Sequence, residues 1–402
     1  MKILFDHQIF FQNKYGGISK IFLEVIRRLK ERQIEFDTSV LIEEYSNGIL
    51  RDTESKERVN LPNNLSLFTL YHLIQMIFRT FRLPLPGFLI KRESGILKRS
   101  LRQNIENLNA KVNDALIQNR YSVFHPTYFQ NYFLANKQQS KTKSVLTVYD
   151  CVHELFPEYY GQSNFILKNR KGLCESADHI ICISNTTKKD LLKLYGNISE
   201  NKISVVHLAG DLSTEPRLKP LFPYPDYILF VGNRSDYKNF KVLLDAFFHL
   251  AKTKKFHLVC VGGGEFSSSE KRWIKEYQLE DLVHQVLFSS ESVLANYYQN
   301  AKVFVYPSLY EGFGIPLLEA MSVGCPVLCS DIEVFHEVAN DAAYFFDPKD
   351  PFDLQSKLSS LLDSETTRKD LAKKGYTQVN KYSWNQCADE HIRIYQKLSE
   401  NL

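Results

Sequence analysis

Two doubly wound α/β domains, facing each other across a cleft, are what this sequence predicts, and three observations predict them. The 402 residues are too many for one ordinary core and suit two domains of roughly 150–200 residues each. Short apolar runs alternate with amphipathic stretches through both halves, the pattern of parallel strands joined by crossover helices. A proline-rich stretch without apolar periodicity, LSTEPRLKPLFPYP (212–225), separates the halves. The expected layout is a Rossmann-like domain over 1–207, a linker over 208–225 and a second Rossmann-like domain over 226–383. The amphipathic tail, about 384–402, is expected to return to the first domain.

In chain order, KILF (2–5) reads as a strand and GISKIFLEVIRRLKER (17–32) as the helix after it. SVFH (122–125), KSVLTVYD (143–150) and HIICIS (179–184) read as further buried strands, with Asn185 placed to cap the next helix. The second half is more regular. YILFVG (227–232), FHLVCVG (256–262), HQVLF (284–288), KVFVY (302–306), PVLCS (326–330) and AAYFF (342–346) are each short and apolar, as strands buried on both faces are. NFKVLLDAFFHLAK (239–252) and SVLANYYQNA (292–301) are amphipathic helices between them, and SWNQCADEHIRIYQKLSE (383–400) is a final one.

The bulk properties narrow the class. A hydrophobic fraction of 44% is that of a soluble globular chain, and a net charge of +4 does not by itself imply nucleic acid. The opening MKILFDHQIF is too weak for a signal peptide, and no apolar run reaches the roughly 18 residues a membrane span needs. Seven cysteines without a C-x-x-C suggest reduced, structural thiols and a cytoplasmic location.

Ligands of open parallel sheets bind at the carboxyl ends of strands, so the candidate residues are sought there. Directly after KVFVY comes SLYEGFGIPLLEAMSVG (308–324). Gly312 and Gly314 permit positive φ and close backbone approach, and Pro316 suits a first helical turn. Gly324 suits the helix end, giving a helix over roughly 316–323. Its N-terminus would face the cleft and favour an anion. Glu319 is placed in the first turn, where a carboxylate is favoured by the dipole and can accept from vicinal hydroxyls. Glu311 precedes the turn and points at whatever lies before it.

After YILFVG, Arg234 and Lys238 of FVGNRSDYKNF (230–240) offer a planar fork and a point charge for a diphosphate, or form a solvated basic loop. Gly16 and Gly17 in KYGGISK (14–20) form either a backbone anion nest or a plain tight turn before a helix. Asp150 and His153 in VYDCVHELFPEYY (148–160) fall just past a strand and could orient an acceptor hydroxyl or take its proton, or serve as a cap and a loop histidine. His125 ends another strand with nothing nearby to complete a site. CVGGGEF (260–266) lacks the G-x-G-x-x-G spacing and reads as a turn.

Taken together, these residues resemble a family 4 glycosyltransferase of the GT-B fold over nearly the whole chain. The strongest element is the pair Glu311 and Glu319 with EGFGIPLLEA intact. ADHIICISNTTKKDL (177–191), YGGIS and VGNR…YKN resemble further parts of the family, and DHQIF…YGGIS resembles its bacterial mannosyltransferase-like branch. The resemblance implies retaining transfer of a hexose, mannose among the candidates, from a nucleotide diphosphate sugar. It implies a saccharide or lipid-linked saccharide acceptor in bacterial surface polysaccharide biosynthesis. By the same resemblance Glu319 binds ribose, and Glu311 touches the donor sugar with Gly312, Phe313, Gly314 and Ile315 beside it. Arg234 and Lys238 hold the diphosphate, and Gly16 and Gly17 close over it. Many relatives carry His-Asp after the TV strand where this chain has Tyr149-Asp150, so the acceptor contact is left between Asp150 and His153.

The chemistry points the same way. A departing diphosphate needs its growing charge held more than it needs a general acid. The chain has no Asp-x-Asp, so no metal and no cofactor are expected. A retaining glycosidase would need two carboxyls about 5–5.5 Å apart, and Glu311 and Glu319 are read as facing different sugars. Two further readings are a sugar-nucleotide epimerase on a similar scaffold and a non-catalytic partner of a glycosyltransferase. Finally, residues 76–102 carry seven Arg or Lys and one acid among Phe, Leu and Ile. That mixture suits either a solvated helix surface or peripheral attachment to the inner face of the cytoplasmic membrane.

Overall fold

A computed structural model describes residues 1–12, 17–40, 87–160, 164–212, 219–234, 236–287 and 290–400, with backbone alone at 12 and 87–101. The chain forms two six-stranded parallel sheets. The first contains β1 (Lys2–Phe5), β2 (Glu35–Thr38), β3 (Val123–His125), β4 (Lys143–Val148), β5 (His179–Cys182) and β6 (Ile203–Val205). The second contains β7 (Tyr227–Val231), β8 (His257–Val261), β9 (Val283–Val286), β10 (Val303–Tyr306), β11 (Val327–Ser330) and β12 (Tyr344–Phe346). Central strands such as β7, β10 and β11 are buried at every position, which is why their sequences are continuous apolar runs rather than alternating ones.

The strand orders are β2-β1-β3-β4-β5-β6 and β12-β11-β10-β7-β8-β9. Each sheet therefore reverses its direction of growth once, between β1 and β3 and between β10 and β7. At such a reversal the loops diverge and leave a crevice beyond the carboxyl ends of the strands. One apolar cluster fills the first domain and continues into the second through Tyr149, Phe313 and Leu317. Another, with Phe240, Leu244, Phe247, Leu354 and Leu358, belongs to the second domain alone.

The last helix, Trp384–Ser399, packs on the helix Gly17–Glu31 of the first domain. Arg28 Nε donates to Asn385 and Arg32 Nε to Asp389, each at 2.8 Å. Tyr395 Oη lies 2.7 Å from His125 Nδ1, while His125 Nε2 meets Thr147 at 2.9 Å. His125 is thus fully buried core, and burial holds its imidazole well below the usual range.

Several local expectations shift. The helix expected over 316–323 is Ile315–Ser322. The edge strands Glu35–Thr38 and Ile203–Val205 were not expected. Asn185 is not a cap but the first residue of helix Asn185–Leu194. Ser184 is the cap: its backbone is extended and its hydroxyl accepts from Thr187 N at 2.9 Å. All seven cysteines are free and buried. Among the described residues no helix is long and apolar enough to cross a membrane. The basic, apolar stretch 76–102 lies outside the described residues up to 86. Beyond that its backbone begins the helix Gly87–Ile117, with Arg102 the one side chain of the stretch described.

Candidate functional site

The two loops that leave the second sheet at its reversal come from β7 and β10, and they are tied together by Leu309 N donating to Tyr237 O at 2.8 Å. The β10 loop carries Glu311 and the β7 loop carries Lys238. Lys238 Nζ and Glu311 Oε1 are 2.6 Å apart, and Ser308 Oγ donates to the same carboxylate oxygen at 2.7 Å. Lys238 also lies 5.6 Å from the centre of the buried Tyr306 ring. The acid and the base the sequence selected on separate strands therefore meet.

Gly314 then takes φ +109°, a left-handed conformation that glycine alone adopts freely, and caps the helix Ile315–Ser322. Pro316 sits in its first turn and no described side chain caps the start. Uncapped N–H groups and the positive end of the dipole are left for an anion. The first domain and the start of the linker close on this element at three points. A Cβ on Gly312 would overlap the Tyr149 carbonyl oxygen, and one on Gly210 would come within 2.7 Å of Ile315 O. A Cβ on Gly17 would meet Ile315 Cδ1 at 3.9 Å. Thr187 Oγ1 donates to Gly312 O at 3.1 Å, and Phe313 is buried beside it.

Glu319 is not in the first turn but is the fifth residue of the helix, and it is buried, with 8% exposure. The cleft itself, rather than the helix dipole, decides its environment. Burial pushes its carboxyl above the usual range, Lys20 from the first domain pulls it back, and Glu291 pushes it up again. Lys20 Nζ lies 3.5 Å from Glu319 and 2.8 Å from Glu291.

Arg234 is engaged by protein on every edge. Its Nε donates to Glu270 at 2.8 Å, and its Nη atoms donate to the carbonyls of Gly262, Gly264 and Glu265 at 3.0, 2.9 and 3.0 Å. Its side chain is 3% exposed. It holds the glycine turn after β8 against the β7 loop, which explains why CVGGGEF needs three left-handed glycines.

Across the cleft, Asp150 follows β4. Its Oδ1 accepts from Val152 N at 3.1 Å, and its carbonyl accepts from the buried Arg170 at 2.7 Å. His153 packs on Tyr160 with ring centroids 3.9 Å apart, its Nδ1 against the Asn164 amide. Burial pushes its imidazole down to about 4, with Asp150 opposing, so it is neutral near pH 7. The Tyr160 ring is 6.4 Å from that of Tyr237, which places His153 and Tyr160 opposite the Lys238 loop. Gly17 opens its helix at the same cleft; Gly16 lies outside the described residues.

Sequence reasoning missed the residues of the first domain that reach the site, Lys20 and Thr187, and it missed Glu337 of the second domain, whose carboxylate accepts from Asn185 and Thr186 of the first. Lys20 stands three residues after Gly17 and was legible only as a cation where the helix dipole disfavours one.

Comparisons with known proteins add the following. The profile described as Glycosyltransferase Family 4 matches residues 15–214, and the one described as Glycosyl transferases group 1 matches residues 214–378. The chain is 27% identical over 282 residues to the O-antigen chain mannosyltransferase B of Escherichia coli, covering 67% of this chain and 73% of that protein. It is 32% identical over 220 residues to the O-antigen chain mannosyltransferase RfbU of Salmonella typhimurium, covering 52% of this chain and 59% of that one, less than two thirds of its length. The structure of Anabaena Alr3699/HepE in complex with UDP and glucose superposes with a TM-score of 0.68 at 14% identity, covering 99% of this chain and 100% of that one.

Proposed function

From the premise that this chain belongs to the family 4 glycosyltransferases and has the GT-B fold, we propose that it moves a hexose, mannose by its relatives, from a nucleotide diphosphate sugar to a saccharide or lipid-linked saccharide acceptor. The transfer retains the anomeric configuration and serves the assembly of a bacterial surface polysaccharide such as an O-antigen. The observation that carries this reading is the convergence of Lys238, Glu311 and an uncapped helix N-terminus at the reversal point of the second sheet, facing Asp150 and His153 of the first.

In this reading the diphosphate lies before Gly314 and Ile315. There the helix N–H groups and Lys238 take up the charge that grows as the sugar leaves. Glu311, freed from Lys238 by the incoming phosphate, accepts from hydroxyls of the donor sugar. Glu319 accepts from the vicinal hydroxyls of the ribose. Arg234, besides holding its loop, serves the diphosphate with Lys238, and Gly16 and Gly17 close over the phosphates. Asp150 and the neutral His153 orient the acceptor hydroxyl, and either can receive its proton. No metal takes part in this scheme.

A thermal-shift panel of GDP, UDP, ADP and their hexose conjugates tests it, because a matched nucleotide stabilises the folded state by mass action. Stabilisation by one nucleotide is expected, followed by transfer of its hexose with the anomeric configuration kept in the NMR spectrum of the product. No stabilisation by any of them, or an inverted product, refutes the reading.

A further inference from the structure

Lys20 is the fourth residue of the helix Gly17–Glu31. A cation in a first turn meets the positive end of the helix dipole, an unfavourable position by about 0.3–1 kcal/mol. Its side chain is nevertheless only 17% exposed, and it leaves its own domain to meet Glu319 at 3.5 Å and Glu291 at 2.8 Å. Glu319 faces Lys20 from the first domain and Glu291 and the Tyr298 phenol from the helix Glu291–Asn300. Glu24 stands one turn beyond Lys20, and the Cys325 thiol lies beyond Tyr298. Among the described groups that act on this carboxylate, Lys20 is the cation, and it belongs to the other domain.

We propose that Lys20 is a positioning residue that reaches across the cleft to keep Glu319 a charged, correctly turned acceptor for the vicinal hydroxyls of the donor's ribose. Nucleotide recognition by the second domain then depends on the first domain being in place. This rests on the reading above that Glu319 meets the ribose. The physical basis is the balance at Glu319: burial and Glu291 favour the neutral acid, and Lys20, helped by the Tyr298 phenol, opposes both. Without Lys20 the carboxyl holds its proton to higher pH. A protonated carboxyl has lost part of its acceptor capacity, so binding to it recovers as pH rises and the proton leaves.

The test uses the full chain and isothermal titration with GDP and UDP, each beside its 2′,3′-dideoxy counterpart, from about pH 5.5 to about pH 8.5. Wild type is expected to prefer the ribonucleotide. Lys20→Met is expected to weaken the ribonucleotide severalfold at the acid end. The loss should shrink towards the alkaline end and leave the dideoxy affinity unchanged. Lys20→Arg should restore the wild-type profile. A Lys20→Met protein that binds the ribonucleotide as wild type does at every pH overturns the proposal. So does one that loses ribo and dideoxy forms equally, because a merely structural lysine would act on both. If Glu319→Ala keeps the preference for ribose, the fault lies instead with the ribose assignment of Glu319.

Discussion

Lys238 and Glu311 neutralise each other at 2.6 Å, so each is held in place by the other. Lys238→Ala is expected to lower turnover by about 10²–10³, the usual effect of removing a group that holds leaving-group charge; a steady-state rate within threefold of wild type, roughly, would refute the role. Glu319→Ala should weaken binding of the free nucleoside diphosphate, whereas Glu311→Ala should leave it and lower turnover with the sugar donor, which titration and kinetics separate. Arg234 also carries a structural contact. Arg234→Ala leaves the buried Glu270 carboxylate without its cation and with Ser267 N as its remaining hydrogen-bond donor, so a loss of about 3 kcal/mol in denaturant unfolding is expected, beyond any effect on rate. The sequence displayed Arg234 and Lys238 as equivalent cations four residues apart. Nothing local in the sequence shows that the Arg234 guanidinium also meets Glu270 and the carbonyls of Gly262 to Glu265, because those partners lie on another strand and loop.

Between Glu311 and Gly324 a turn and a helix are specified by residues whose backbone preferences are strong enough to read directly. Gly314 needs a left-handed φ, Pro316 suits a first turn, and Gly324 ends the helix with φ +74°. That is why this element was legible to within one residue. The edge strand Glu35–Thr38 was not, because its sequence EFDT is half-exposed and has no apolar run. Ser184 and Asn185 are both good caps, so composition could not rank them, and the extended backbone of Ser184 decides it. Gly312 is demanded by contact rather than by φ. Gly312→Ala would force the β10 loop away from Tyr149, and activity should fall by much more than the melting temperature does, since the loop belongs to the cleft and not to a sheet. Equal activity in Gly312→Ala, measured at donor saturation, would show that the close approach is dispensable.

One carboxylate gathers five of the hydrogen bonds that join the two domains. Glu337, on the helix Glu333–Ala339 of the second domain, accepts from Asn185 N and Nδ2, Thr186 N and Oγ1, and His207 Nε2, all between 2.7 and 3.0 Å. These bonds hold its carboxyl down to about 2. A carboxyl depressed in the folded state stabilises above its unfolded value, near 4.5, and that contribution disappears as pH falls towards about 2. Small-angle scattering should therefore show the domains loosening over that window, and Glu337→Gln should reduce that pH dependence. Turnover in excess EDTA is expected to equal turnover without it, and full loss restored by Mg²⁺ or Mn²⁺ would overturn the metal-free scheme. The return of the helix Trp384–Ser399 to the first domain means that the polypeptide passes between the domains twice. A body suspended from one thread can twist and sway, whereas one hung from two swings about a single axis. The first half also keeps its grip on the second when one thread is cut. Co-expressed as two separate polypeptides, 1–212 and 219–402, the halves should elute together, because the second carries its own docking helix with Asn385, Asp389 and Tyr395 in place.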